Sequence, residues 1–400
     1  MAFDIPTKNK IKELIAMSAR TVAMMCASGT LMQTFLATLG FDSSLIYMHS
    51  SLLHFANVLT MILCANCTEK RNPIKYSAVT ALPTCLLFLF YIPFAISRQA
   101  TLSAYALIVA VGLVQQISVG LYNVCQYKVP YYIYRPNEYG VMASLCGMVS
   151  MLLSLGIGSV ISYLTTKYSF INIMGISFVV AAALMLIVFI ATWMQKSLRP
   201  IEKDIERAKN SKKHTIFTLL KYPAFSCLIH ANILRGFAMG ITTVLATIAF
   251  DLGYTERVTT LMVTVSSLAS CLSCGLLALI AKRIASQKTL FWGSITVALI
   301  PLMLIDNKLI FLTVYGIVLF GRTLVDYSTP AMLLKMIPVD IAGPYNAWRI
   351  VIQNAGTLIA TSVAAFLPIP LLLVMAGVCQ VLAGISFVLV NKKYSPTEEV

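Results

Sequence analysis

Charge is scarce in this chain. Of its 400 residues 11% are charged, 15 are acidic and 4 are histidine, where a soluble domain carries about a quarter charged residues. No GxSxG elbow, HExxH helix or phosphate-cradling glycine loop occurs, which leaves hydrolysis, nucleotide-driven chemistry and ATP-driven pumping without support. The ten cysteines are scattered through apolar stretches, so no extracellular disulfide framework is indicated. What fills the chain instead is apolar, 58% by residue with a mean hydropathy of +0.83, so most of it must sit in lipid. The net charge of +15 is gathered in short loops. It is read as topology and contact with anionic membrane lipids, not as nucleic-acid binding. The N-terminal residues Lys8, Lys10, Lys12 and Glu13 are polar, and no cleavable signal is expected.

A span needs about 20 apolar residues to cross a core about 30 Å thick. Twelve such stretches can be drawn, near 19–39, 44–65, 77–96, 101–126, 138–163, 169–193, 223–250, 257–281, 289–305, 309–334, 344–366 and 370–391. The expected fold is an all-α polytopic membrane protein of twelve transmembrane helices in two six-helix bundles, 1–193 and 223–400. The basic segment 194–222 links them. Its IEKDIERAKNSKKH run reads equally as a surface-lying amphipathic helix or a solvated linker.

The halves echo one another. Thr34 to Asp42, TFLATLGFD, returns 209 residues later as TVLATIAFD, Thr243 to Asp251, with six of nine positions identical. Val129-Pro130, Ile133 and Pro136 match Ile337-Pro338, Ile341 and Pro344 at an offset of 208. Two echoes at nearly one offset mark a duplicated unit. Of the 30 lysines and arginines, 23 fall on the side that holds both termini and the central loop, and 4 on the other. The positive-inside rule makes the first side cytoplasmic, and the expected location is the cell membrane.

With twelve spans, a basic central loop, a detectable repeat and the phrase LLKYPAF (Leu219 to Phe225), the chain resembles the major facilitator superfamily. The loop after the second span keeps acid and bases of that family's signature (Ala65, Glu69, Lys70, Asn72, Lys75) but not its glycines. The equivalent loop in the second half keeps Lys282, Arg283 and Lys288 without an acid. The resemblance implies that spans one, four, seven and ten line a central cavity. Those spans carry Gln33, Gln115, Gln116, Arg235, Arg322 and Asp326.

Ionisable groups at membrane depth are costly and usually have a partner or a watery cavity. Arg322 and Asp326, spaced i, i+4, share a helix face. They read either as a self-neutralising structural pair or as a proton-coupling pair, with Asp326 taking the proton and Arg322 binding substrate. A neighbouring guanidinium favours the charged carboxylate, so coupling needs the two to separate. Arg235 has no acid one turn away. It either anchors a solute anion or reaches backbone carbonyls or Asp326 across the cavity. Gln33, Gln115 and Gln116 are expected as neutral hydrogen-bonding groups.

Arg349 snorkels to the interface or closes a gate with Glu69 or Glu138. His54, Asn57 and His230 are core polar groups, with a proton relay through His54 as the sharper alternative. Gly236 and Gly240 form a GxxxG packing motif. Cys64-x-x-Cys67 and Cys271-x-x-Cys274 are explained by packing; no metal or cofactor is expected.

The expected function is secondary active transport of a small organic anion by alternating access, coupled to protons, by a monomer and without enzymatic activity. A proton-driven exporter of hydrophobic compounds is the alternative within the class, suited by 19 methionines and 19 phenylalanines. A non-transporting scaffold or sensor is the alternative outside it.

Overall fold

The structure, a computed structural model, describes residues 4–64, 71–126, 129–134, 139–202, 216–280, 286–333 and 342–394. Twelve helical runs cross it. They are α1 (Ile5–Ala27, resuming as Gly29–Leu39), α2 (Ser43–Cys64), α3 (Pro73–Leu89, resuming as Ile92–Ser97), α4 (Leu102–Gln126), α5 (Tyr139–Leu164) and α6 (Phe170–Trp193). The second set is α7 (Pro223–Thr243, resuming as Leu245–Asp251), α8 (Glu256–Ile280), α9 (Ser286–Val297, ending in a 3-10 turn Ile300–Leu304), α10 (Lys308–Leu333), α11 (Ala342–Ala364) and α12 (Ile369–Tyr394). Among the described residues, eleven of these runs are long and apolar enough to cross a membrane. The twelfth, α11, has 23 residues and carries Arg349, Gln353, Asn354, Thr357 and Thr361, most of them buried against neighbouring helices.

The duplication is visible in the packing. Within the first half α1 packs on α5 and α6, α3 on α4 and α6, and α2 on α4; within the second, α7 packs on α11 and α12, α9 on α10 and α12, and α8 on α10. Each pair in one half reappears six helices later in the other. The halves meet along α2·α11 and α5·α8, which exchange under the same shift, and along α1 with α7 and α8.

Lipid tails supply no hydrophobic drive for helix association, so close approach must come from small residues. The α7·α11 pair shows it. A Cβ on Gly236 would land on the Gln353 carbonyl, one on Gly356 would land on the Ile233 carbonyl, and one on Gly240 would lie 2.6 Å from the Ala360 Cβ. Thr357 Oγ1 also donates to the Gly236 carbonyl at 3.0 Å. The GxxxG motif is thus the contact face of α7 toward α11.

Two expectations are corrected. The first helix begins at Ile5, not near 19, because Asp4 caps it by accepting from the Thr7 amide and Pro6 occupies its first turn. Asn9 and Glu13 face inward from this extension at 0% and 4% exposure. Spans one and seven are also broken, at different places relative to the repeat: α1 at Ser28, where Gly29 has φ +60°, and α7 at Val244, inside the echoed segment. Residues 203–215 lie outside the described residues, and with them most of the surface helix considered for the central loop. So do residues 337–341, part of the second echo.

Candidate functional site

Arg235 lies near the middle of α7, 2% exposed. It is not unpaired: its Nη2 donates to Asp326 Oδ1 of α10 at 2.5 Å. The carboxylate comes from 91 residues away, so nothing within a turn of Arg235 signalled it. The guanidinium is only partly satisfied, because Nε and Nη1 are buried without a hydrogen-bond partner among the described residues. Arg322 approaches the same carboxylate less closely, Nε to Asp326 Oδ2 at 3.8 Å. Its firmer bond runs from Nη1 to Thr242 Oγ1 at 2.8 Å. The i, i+4 pair is therefore the minor partnership. Two guanidinium groups share one carboxylate, and the cluster carries a net positive charge.

A cavity of about 10 Å³ adjoins these groups, lined by Arg235, Ala238, Met239 and Thr242 of α7, Val297 of α9, Arg322, Val325 and Asp326 of α10, and Gln380 of α12. All of these belong to the second half. The charged cavity lies inside that bundle, where a chamber enclosed by both halves was expected. It has room for one water. The cluster is not sealed off: the Arg322 and Asp326 side chains are 23% and 34% exposed, and Arg322 lies within electrostatic reach of His54 on α2.

The three glutamines part company. Gln33, 5% exposed, is not among the residues lining that cavity. Its Nε2 donates to the Thr243 carbonyl at 2.7 Å and its Oε1 accepts from Thr247 Oγ1 at 3.2 Å, so it bonds both sides of the break in α7. Gln115, 3% exposed, turns into the first half and accepts from Tyr91 OH at 3.1 Å. Gln116 accepts from Asn57 Nδ2 of α2 at 3.3 Å. Asn57 Oδ1 in turn accepts from Asn354 Nδ2 of α11 at 3.4 Å.

Arg349 is 6% exposed and its Nη1 turns along α11 to Gln353 Oε1 at 3.2 Å, instead of snorkelling. Its expected gate partners Glu69 and Glu138 lie outside the described residues, as does Cys67.

Two contacts were not anticipated. At the side opposite the termini, Asp251 accepts from Ser43 Oγ and, at 2.8 Å, from Tyr47 OH, tying α7 to α2 across the halves. At the terminal side, Glu13 accepts from Gln126 Nε2 at 2.7 Å and Gln195 Nε2 at 2.6 Å. Asn9 meanwhile pairs with the Lys196 backbone in both directions. The sequence signal for the second was the i, i+4 spacing of Asn9 and Glu13 on one helix face.

The family model of the Major Facilitator Superfamily matches residues 14–361. The chain belongs to the major facilitator superfamily. Solved structures of the superfamily share its fold along nearly their whole length. A D-xylose–proton symporter is 13% identical with a TM-score of 0.69, covering 98% of each chain. The fucose:proton symporter FucP of E. coli is 14% identical with a TM-score of 0.68, covering 97% of this chain and 99% of its own. The nucleoside transporter NupG is 13% identical with a TM-score of 0.63, covering 96% of this chain and 98% of its own. No curated protein matches the chain by sequence. Membership makes it a multi-pass membrane transporter; at these identities the likeness to the solved structures shows fold alone.

Proposed function

We propose that the protein is a proton-coupled secondary transporter of a small organic anion. Support comes chiefly from one observation: Arg235 is buried beside a cavity with two nitrogens, Nε and Nη1, without a partner among the described residues. A planar fork with free donors in a net-cationic site suits a carboxylate or phosphate, which can accept two bonds at once. In the present arrangement Asp326 holds the place of that anion. Protonation of Asp326 releases Arg235, the incoming anion replaces the carboxylate, and Arg322 follows by leaving Thr242. The proton and the anion then share one site, which couples them. Two of the similar structures are titled proton symporters, in keeping with this scheme.

The segments 1–193 and 223–400 move as units about the linker 194–222, with both termini cytoplasmic, in the cell membrane, each monomer a complete transporter. Arg349 gates the terminal side together with Glu69 or Glu138. The test is uptake of candidate carboxylates and phosphates into proteoliposomes across an imposed pH gradient. Arg235→Ala should abolish uptake and Asp326→Asn should abolish its dependence on the gradient. Uptake by Arg235→Ala at the parent rate would defeat the assignment.

A further inference from the structure

Gln116, Asn57 and Asn354 come from α4, α2 and α11, and their carboxamides form a chain that crosses from one half to the other. The two links are long, 3.3 and 3.4 Å, at the weak end of amide hydrogen bonds. Beyond them Asn354 Nδ2 has a contact of 3.8 Å with the Met61 sulfur. Among the described side chains, none uses the amide donors of Gln116 or the side-chain carbonyl of Asn354. Directly below, toward the terminal side, Val58, Met61, Val124 and Val351 close into an apolar plug with Trp348 and Ile350 packed on it. Neutral polar groups held loosely over an apolar floor at mid-membrane depth are costly unless something is bound there.

Their position gives them a purpose. On α2, Asn57 follows His54 by one turn, roughly 5 Å along the axis. Arg322 lies within electrostatic reach of His54. The amide chain therefore lies one turn closer to the terminal side than His54. A solute whose charged end sits on Arg235 and Arg322 would lay its other end against the amides. Such groups offer donors and acceptors without charge, the complement of hydroxyl and carbonyl groups.

We propose that Gln116, Asn57 and Asn354 form a second substrate subsite, and that the transported anion is a short hydroxylated organic acid. The inference rests on the anion reading of the Arg235 site and adds the substrate's other end. Because the three amides belong to both halves, a solute that bridges them takes over the bonds now joining α2 to α11. The loaded and empty carriers then differ in how strongly the seam is held.

The test is binding to the purified protein in lipid nanodiscs, followed by thermal stabilisation, with three probes. D-Gluconate carries a carboxylate and hydroxyls, propionate a carboxylate alone, and sorbitol hydroxyls alone. Gluconate should bind at least tenfold more tightly than propionate. Asn57→Ala and Gln116→Ala should each weaken gluconate by about 3- to 10-fold, the worth of one neutral hydrogen bond, and leave propionate unchanged. Should Asn57→Ala fail to fold, Gln116→Ala carries the comparison.

Equal affinity for gluconate and propionate would overturn the subsite, as would variants that leave gluconate binding intact or weaken both acids alike. Sorbitol binding as well as gluconate would overturn the anion reading and leave the amide subsite standing. No binding by any probe would overturn both.

Discussion

Replacing Asp326 by alanine should destabilise the protein far more than replacing Arg235 by methionine, although each removes one partner of the same ion pair. Without Asp326, Arg235 is left 2% exposed with two nitrogens, Nε and Nη1, already without a partner among the described residues and its one short bond gone. Stranding a buried charge in this way costs about 3–5 kcal/mol. Without Arg235 the carboxylate is better placed: its side chain is 34% exposed and Arg322 stands 3.8 Å away, so the loss should be about 1 kcal/mol. Methionine fills the vacated space without adding a polar atom. The double substitution should recover about 1–2 kcal/mol of what Asp326→Ala loses, a coupling of about 2–3 kcal/mol. Chemical denaturation in nanodiscs, comparing parent, both single variants and the double, reads all three quantities. Equal costs for the single substitutions, or an additive double, would show that the buried guanidinium does not depend on Asp326. The replacement step proposed for transport would then lose its basis.

Asp251→Ala takes the acceptor from Ser43 and Tyr47 and should favour opening of the side opposite the termini by about 1–3 kcal/mol. Faster maleimide labelling of a Thr247→Cys reporter in that background is the expected result, and an unchanged rate the contrary one. Gly236→Val should fail to assemble, since its side chain meets the Gln353 carbonyl. Gly275→Ala, with open space around it, should be neutral or stabilise by up to about 1 kcal/mol through helix propensity; expression and melting temperature separate the two. Glu13→Ala leaves the Gln126 and Gln195 amides without their acceptor at a cost of about 1–3 kcal/mol. Faster proteolysis near residues 199–202 would report the loosened segment, whereas Glu13→Gln should lose less because it keeps one acceptor oxygen.

The fold could be read from the sequence because lipid imposes both the length and the composition of a span, and because the echo at 209 residues survived divergence. The site could be read only in part. Gln115 and Gln116 are neighbours about 100° apart around a helix, and composition does not reveal which neighbour each of them meets; the structure turns Gln115 to Tyr91 and Gln116 to Asn57. Gln33 was misplaced for another reason. Its partner is a backbone carbonyl released by the break in α7, and no residue type advertises such a break. The N-terminal extension was hidden by Lys8, Lys10 and Lys12, whose charges kept the first span from being drawn before residue 19, although Asn9 and Glu13 face inward from the same helix.

The glycine-lined contact between α7 and α11 has a mechanical meaning. With backbone against backbone at Gly236, Gly240 and Gly356, no compressible layer of side chains separates the two helices, and they must travel together like planks glued edge to edge. Arg235 rides on one plank and Asn354 on the other. A solute that tugs on the amide therefore displaces the guanidinium without any relay of intervening rotamers.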